Sequence, residues 1–208
     1  MRLARAGLLL ALTACTSAQP TPVSAPAPAP AVAPVTFAAP QWRPGDRWAY
    51  DWTSGTESGT KTIEVFETKT VNAVSYFVLR LGDVEHYYTK DLHWAAAVRE
   101  ARVEARMVPP QPWFMWPLVP NQRWDHQGTF EDPNGRRTFN DHFTVVGVEE
   151  IEVPAGRFKT MKVMREGERR DSDEYWYSPD VRWYVRWVGR RGDETFEERL
   201  KNYQPGRR

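Results

Sequence analysis

The chain has 208 residues, with 28 Lys plus Arg against 27 Asp plus Glu and a formal net charge of +1. In the arginine-rich stretches 165–170 and 186–191, Glu166, Glu168, Asp171 and Asp193 are interleaved or adjacent, so the surface reads as mixed charge and excludes the basic face that nucleic acid requires. Cys15 is the only cysteine, which excludes a disulfide within the chain.

Taken from the N-terminus, Arg2 and Arg5 precede the apolar run 7–12, the layout of a secretory signal peptide and too short to span a bilayer. Its end, Leu12-Thr13-Ala14-Cys15, resembles the lipobox of bacterial lipoproteins, where the leader is cut before the cysteine and the cysteine is acylated. The resemblance implies a leader over 1–14, lipid on Cys15 and attachment to a membrane through that lipid. More than one acyl chain is expected, because one chain, at about 0.8 kcal/mol per buried methylene, anchors only marginally. Thr16 stands where an Asp commonly retains such proteins in the inner membrane. The resemblance therefore favours the cell envelope and, where the source has one, an outer membrane with the protein facing the periplasm.

Residues 16–40 hold seven prolines among Ala, Thr, Ser and Val and show no apolar period. With Cys15 they read as a tether over 15–40, reaching roughly 75 Å as polyproline II at about 3.1 Å per residue. All ten tryptophans lie beyond it, and 41–208 suits a single β domain. Val181, Trp183, Val185 and Trp187 alternate with Arg182, Tyr184 and Arg186, which segregates them onto two faces of a strand. Phe77, Leu79 and Leu81 alternate with Tyr76, Val78 and Arg80, as in a strand covered on both faces. Turn chemistry is expected at Ser54-Gly55, Ser58-Gly59, Gly82-Asp83, Pro133-Asn134-Gly135, Pro154-Ala155-Gly156 and Gly192-Asp193. Residues 94–107 pull two ways. Their Ala, Glu and Arg favour helix, whereas Ala101, Val103, Ala105 and Met107 alternate with Arg102, Glu104 and Arg106; strand is the expectation and helix stays open.

Two motifs recur in the same order. Pro44-Gly45-Asp46-Arg47-Trp48 is echoed by Pro120-Asn121-Gln122-Arg123-Trp124, and Tyr88-Thr89-Lys90-Asp91-Leu92-His93-Trp94 by Tyr177-Ser178-Pro179-Asp180-Val181-Arg182-Trp183. They predict similar halves over about 42–112 and 117–208, each a meander of about five strands. The fold class is all-β: an antiparallel meander of about ten strands forming a closed barrel, a half-barrel or a sandwich. Trp48-x-Tyr50, Pro117-Leu118 with Arg123-Trp124, Val153-Pro154-Ala155-Gly156-x-Phe158 and Trp176-Tyr177-x-Pro179 resemble uncharacterised β-rich bacterial envelope lipoproteins over most of 42–190. That resemblance implies a β fold in the envelope and brings no catalytic residues.

Between the halves, the segment 108–118 carries four prolines, which argue against a central strand or a helix. Its Trp113, Phe114 and Trp116 read as a plug across one end, as a lid or mouth over an apolar cavity, or as an exposed patch. With Trp183 and Trp187 they are the candidate contacts for a ligand or partner: a lipid, a glycan or another envelope protein. His86, His93, His126 and His142 each have a carboxylate within two positions but lack the short spacings of a zinc site, so no metal and no other cofactor is expected. They read as surface or strand-end groups, with His93 solvated. No Gly-x-Ser-x-Gly elbow exists, Ser178 reads as a turn hydroxyl, and Asp91 and Asp180 as matched turn residues, so no catalytic residue is assigned. The expectation is a non-enzymatic envelope lipoprotein that binds or carries an apolar or amphiphilic component. The alternative is an assembly accessory docking on an envelope protein or cell-wall polymer.

Overall fold

Alternating side chains between short turns give twelve strands in the computed structural model, which describes residues 35–168 and 170–207. The leader, Cys15 and the tether up to residue 34 lie outside the described residues. The strands are β1 (Arg47–Ser54), β2 (Glu57–Val71), β3 (Val74–Leu81), β4 (Val84–Thr89), β5 (Trp94–Arg99), β6 (Arg102–Gln111), β7 (Arg123–Asp132), β8 (Gly135–Val153), β9 (Gly156–Glu166), β10 (Asp171–Ser178), β11 (Trp183–Arg191) and β12 (Glu194–Gln204). Each pairs antiparallel with the next, and β12 returns to β1, so the sheet closes into a barrel. Closure removes every free edge.

Each half supplies six strands rather than the expected five. Residues 94–107 are strand in two pieces, reversed at Glu100 and Ala101, both at positive φ (48° and 63°). Two-residue hairpins of that shape favour Asn or Gly, so a Glu-Ala pair of helix formers carries no local turn signal. The opposite error occurs at Ser58-Gly59, which is not a turn but part of β2. There the Trp52 ring crosses the strand, and a Cβ on Gly59 would fall 2.9 Å from it.

Of the two recurring motifs, Pro-x-x-Arg-Trp marks the same geometry twice. Gly45 N donates to Val65 O (2.7 Å) and Val65 N to Asp46 O (2.8 Å); in the second half Asn121 N donates to Val145 O (2.8 Å) and Val145 N to Gln122 O (2.9 Å). Gly45 and Asn121 share positive φ (91° and 67°). Asp46 Oδ2 accepts from Arg43 N (2.8 Å) as Gln122 Oε1 accepts from Val119 N (3.1 Å). One residue past each valine the ladder bulges, at Phe66 and at Val146, both exposed.

The halves meet along two unequal seams. The whole of β1 pairs with β12, whereas β6 pairs with β7 only at Arg106, Met107 and Val108. Pro109 and Pro110 lie inside β6, against the expectation that prolines exclude a strand there. They are tolerated because β5 pairs with β6 at Arg106 and next at Gln111, leaving the prolines in a bulge that needs no ladder donor. Side chains of β7 supply the missing bonds: His126 Nε2 lies 3.2 Å from Pro109 O, and Trp124 Nε1 donates to Pro112 O at 3.0 Å.

A bulge also breaks the alternation expected over 181–188. Trp176 pairs with Arg186 but Tyr177 with Tyr184, so Val185 is an extra residue and faces swap across it. Tyr184 therefore turns inward together with Trp187. The long β8–β9 hairpin passes over β10 and β11 to reach β12, with Trp176 Nε1 donating to Glu149 Oε2 (2.9 Å) and Ala155 N to Leu200 O (2.9 Å).

Candidate functional site

In an up-and-down barrel successive loops alternate between the two ends, and here the ends differ. One end receives residues 35–46, the segment 112–122 and the turns after β4 and β10. Phe37, on the tether side of the expected boundary, exchanges both backbone hydrogen bonds with Leu118 (3.0 and 2.8 Å). Phe114 is fully buried, 5.6–5.8 Å from the rings of Tyr175, Tyr177 and Trp183. Trp42 packs edge-on against Trp183 at 4.6 Å, and the Trp42 and Trp48 indoles donate to Arg182 O (2.8 Å) and Val181 O (2.7 Å). Asp46, completely buried, accepts from Gly206 N (2.8 Å), Tyr203 Oη (3.1 Å) and Arg182 (3.1 Å), tying the C-terminal segment and the start of β11 to the first turn. Aromatic packing of this density, with each ring burying a large apolar area, seals the end.

Above that floor is a cavity of about 1000 Å³ that opens at the other end between Arg136, Arg137, Glu168 and Gly192. Its size is at the upper end of small-molecule sites, about 300–1,000 Å³. Tyr88, Trp113 and Trp183 line its depth. One wall, from β2, β3 and β6–β8, is largely apolar: Ile63, Leu79, Leu81, Met107, Phe130 and Phe139. The wall from β9–β12 is charged.

Every buried charge on that wall is paired. Arg165 donates to Asp141, Asp171 and Asp173, each at 2.6 Å. Asp173 also accepts from Trp187 Nε1 (2.9 Å) and Arg191 (3.0 Å), and Asp141 from Gln111 (2.8 Å). Buried Glu198 accepts from Lys61 and from Tyr184 Oη (2.8 Å). Burial disfavours the charge on Asp141, but His126, Arg165 and Gln111 outweigh it and hold its carboxyl below the ordinary range. Burial, reinforced by Glu198, pushes the phenols of Tyr50, Tyr88 and Tyr184 upward, so they stay protonated donors.

Of the candidate contacts, Trp113, Trp183 and Trp187 line the cavity. Phe114 lies behind the floor, and Trp116 packs beside it against Tyr177 at 4.8 Å; neither reaches the lumen. Two of the histidines depart from the surface or strand-end positions expected of them. His126 is buried, and His86 sits on the lumen wall with its pKa lowered by burial and Lys61 to about 4. His93, just before β5, is half-buried, and that burial lowers its pKa. His142 alone of the four is exposed, 2.7 Å from Asp125. Asp91 and Asp180 stand exposed in turns of the closed end, away from the cavity. Among the described residues no three His, Cys, Asp or Glu side chains converge as a metal ion requires. Sequence reasoning missed Lys61, His86, Arg165, Asp173 and Glu198, because an inward polar residue on a strand has the same period as an outward one.

No family model and no curated protein sequence matches this chain. Among solved structures, it is similar to a candidate lipoprotein from Parabacteroides distasonis at 13% identity, with 81% of this chain and 99% of the other covered and a TM-score of 0.46. A candidate exported protein with a YmcC-like fold from Bacteroides fragilis matches at 13% identity, 82% and 100% coverage and a TM-score of 0.48. The hypothetical lipoprotein YmcC from Escherichia coli matches at 10% identity, 77% and 85% coverage and a TM-score of 0.40.

Proposed function

We propose that this chain is a bacterial envelope lipoprotein, anchored through Cys15, whose barrel binds or carries an apolar or amphiphilic envelope component and performs no catalysis. The observation that carries the binding reading is the one-ended lumen, roomy, walled on one side by aromatic and aliphatic side chains and on the other by paired charges, and closed below by Tyr88, Trp113 and Trp183. Apolar groups moved from water into such a space gain about 0.8 kcal/mol per methylene. Residues 35–42 enter at the closed end, so the mouth is free of them. The anchor rests on Arg2, Arg5, the apolar run after them and Leu12-Thr13-Ala14-Cys15. Thr16 supports an outer-membrane destination facing the periplasm.

The test is native mass spectrometry of the protein purified gently from the envelope fraction, followed by organic extraction. A stoichiometric adduct that passes into the organic phase is expected; a clean ligand-free mass would overturn binding and favour docking on an envelope protein or cell-wall polymer. For the anchor, Cys15→Ser is expected to leave the barrel folded and absent from membranes. A variant that stays with membranes through a high-salt wash would count against lipidation.

A further inference from the structure

Most polar groups of the lumen are committed to one another; among those with hydrogen bonds to spare are Lys61 of β2 and His86 and Tyr88 of β4, with His86 within electrostatic reach of Lys61 and Tyr88 within reach of its partner Glu198. Lys61 donates one of its three ammonium hydrogens to Glu198 Oε1 and remains 23% exposed. His86 Nδ1 accepts from Trp94 Nε1 at 3.3 Å. An indole can only donate, so the imidazole proton sits on Nε2, which has no partner among the described residues. Burial and the nearby ammonium of Lys61 keep this ring neutral down to about pH 4. Tyr88, two residues along the same face of β4, presents a third donor whose hydroxyl likewise has no partner among the described residues. Ile63, Leu79, Leu81 and Trp94 surround this group on the cavity wall.

The charge balance of the cluster decides what it can hold. Lys61 is neutralised by Glu198, whose carboxylate is buried and already fixed by Tyr184. The cluster therefore offers three donors without net positive charge. A ligand carboxylate would find the charge of Lys61 already cancelled by Glu198 and would be buried without a counter-charge, which costs far more than burying a hydrogen-bonded neutral group. A neutral carbonyl oxygen would accept the same hydrogen bonds without that cost.

Resting on the reading of the lumen as a binding site, we propose that it selects neutral amphiphiles, acyl chains in ester or amide linkage whose carbonyl oxygen is held by Lys61, His86 and Tyr88, over free fatty acids. The apolar wall takes the chain, and the donors fix the carbonyl.

The test uses the full chain carrying Cys15→Ser, so that no acyl group of its own competes. Tryptophan fluorescence is titrated at neutral pH with 1-monodecanoylglycerol and with decanoate, both kept monomeric. The ester is expected to bind about tenfold more tightly, as the cost of burying an uncompensated carboxylate implies. Glu198→Gln, which removes the negative charge and keeps the shape, is expected to bring the two affinities level or to favour decanoate. His86→Leu is expected to weaken the ester about fivefold, since one donor is lost. Equal affinities in the parent chain, or a ratio that Glu198→Gln does not move, would overturn the selectivity and leave lumen binding standing. Binding of neither probe would overturn both.

Discussion

The two ends of the barrel are stabilised by different physics. At the closed end Trp42, Trp48, Phe114, Tyr177 and Trp183 are buried ring against ring, and the Trp183 N–H finds no hydrogen-bond acceptor there. Toward the mouth, Arg165, Arg191, Asp141, Asp171 and Asp173 hold β8–β11 together through bonds of 2.6–3.0 Å. Burial is non-directional and fills space, which suits a plug. Polar groups inside a wall instead need directional partners, each of which costs dearly if left unmade. Above the level of Trp183 such pairs line one wall of the lumen and apolar side chains the other.

The sharpest way to break this contrast is at the floor. Trp183→Ala is expected to cost on the order of 3–5 kcal/mol in urea unfolding, as a fully buried aromatic truncation. A change within about 0.5 kcal/mol would mean that the ring is not part of the core. Next comes Arg165→Met, expected to cost about 3 kcal/mol, because it strands buried carboxylates that Arg191 alone cannot satisfy. Adding Asp141→Asn and Asp173→Asn should recover part of that loss; no recovery would show that the guanidinium acts by packing.

The same network gives a pH signature. The Asp141 carboxyl is depressed in the fold, with burial opposing its charge and His126, Arg165 and Gln111 overcoming that opposition. A group depressed on folding contributes stability above its unfolded value, about 3.9, and loses it as pH falls through the folded value. Thermal midpoints should therefore drop in acid below about pH 4, and Arg165→Met should flatten that dependence. Smaller still, Trp187→Phe keeps an aromatic side chain but removes the indole donor to Asp173, for about 1 kcal/mol. Smallest is Arg99→Ala at the rim: its pair with Asp83 is 47% and 67% exposed, and the change should stay within about 0.5 kcal/mol.

How much of this was legible in the chain varied with how local the cause was. The Pro-x-x-Arg-Trp motifs fall on two identical opening turns because Gly45 and Asn121 are among the few residue types that accept positive φ readily. Phe114 in the floor was foreseeable, since a large aromatic between prolines must find an apolar home. The strip of Lys61, His86 and Tyr88 was not, because inward donors alternate with their neighbours as outward ones do.

The sequence by itself determined an all-β, antiparallel chain and most of the reversals, since period 2 and turn chemistry are properties of adjacent residues. Only the tertiary structure decided that twelve strands close on themselves, that Glu100 and Ala101 reverse the chain, and that bulges at Phe66, Val146 and Val185 reset which face points inward. Closure depends on tilt and stagger accumulated over every strand. Whether a polar side chain meets water or the lumen follows from that closure, so Arg165 and Glu198 acquired their roles only when β12 met β1.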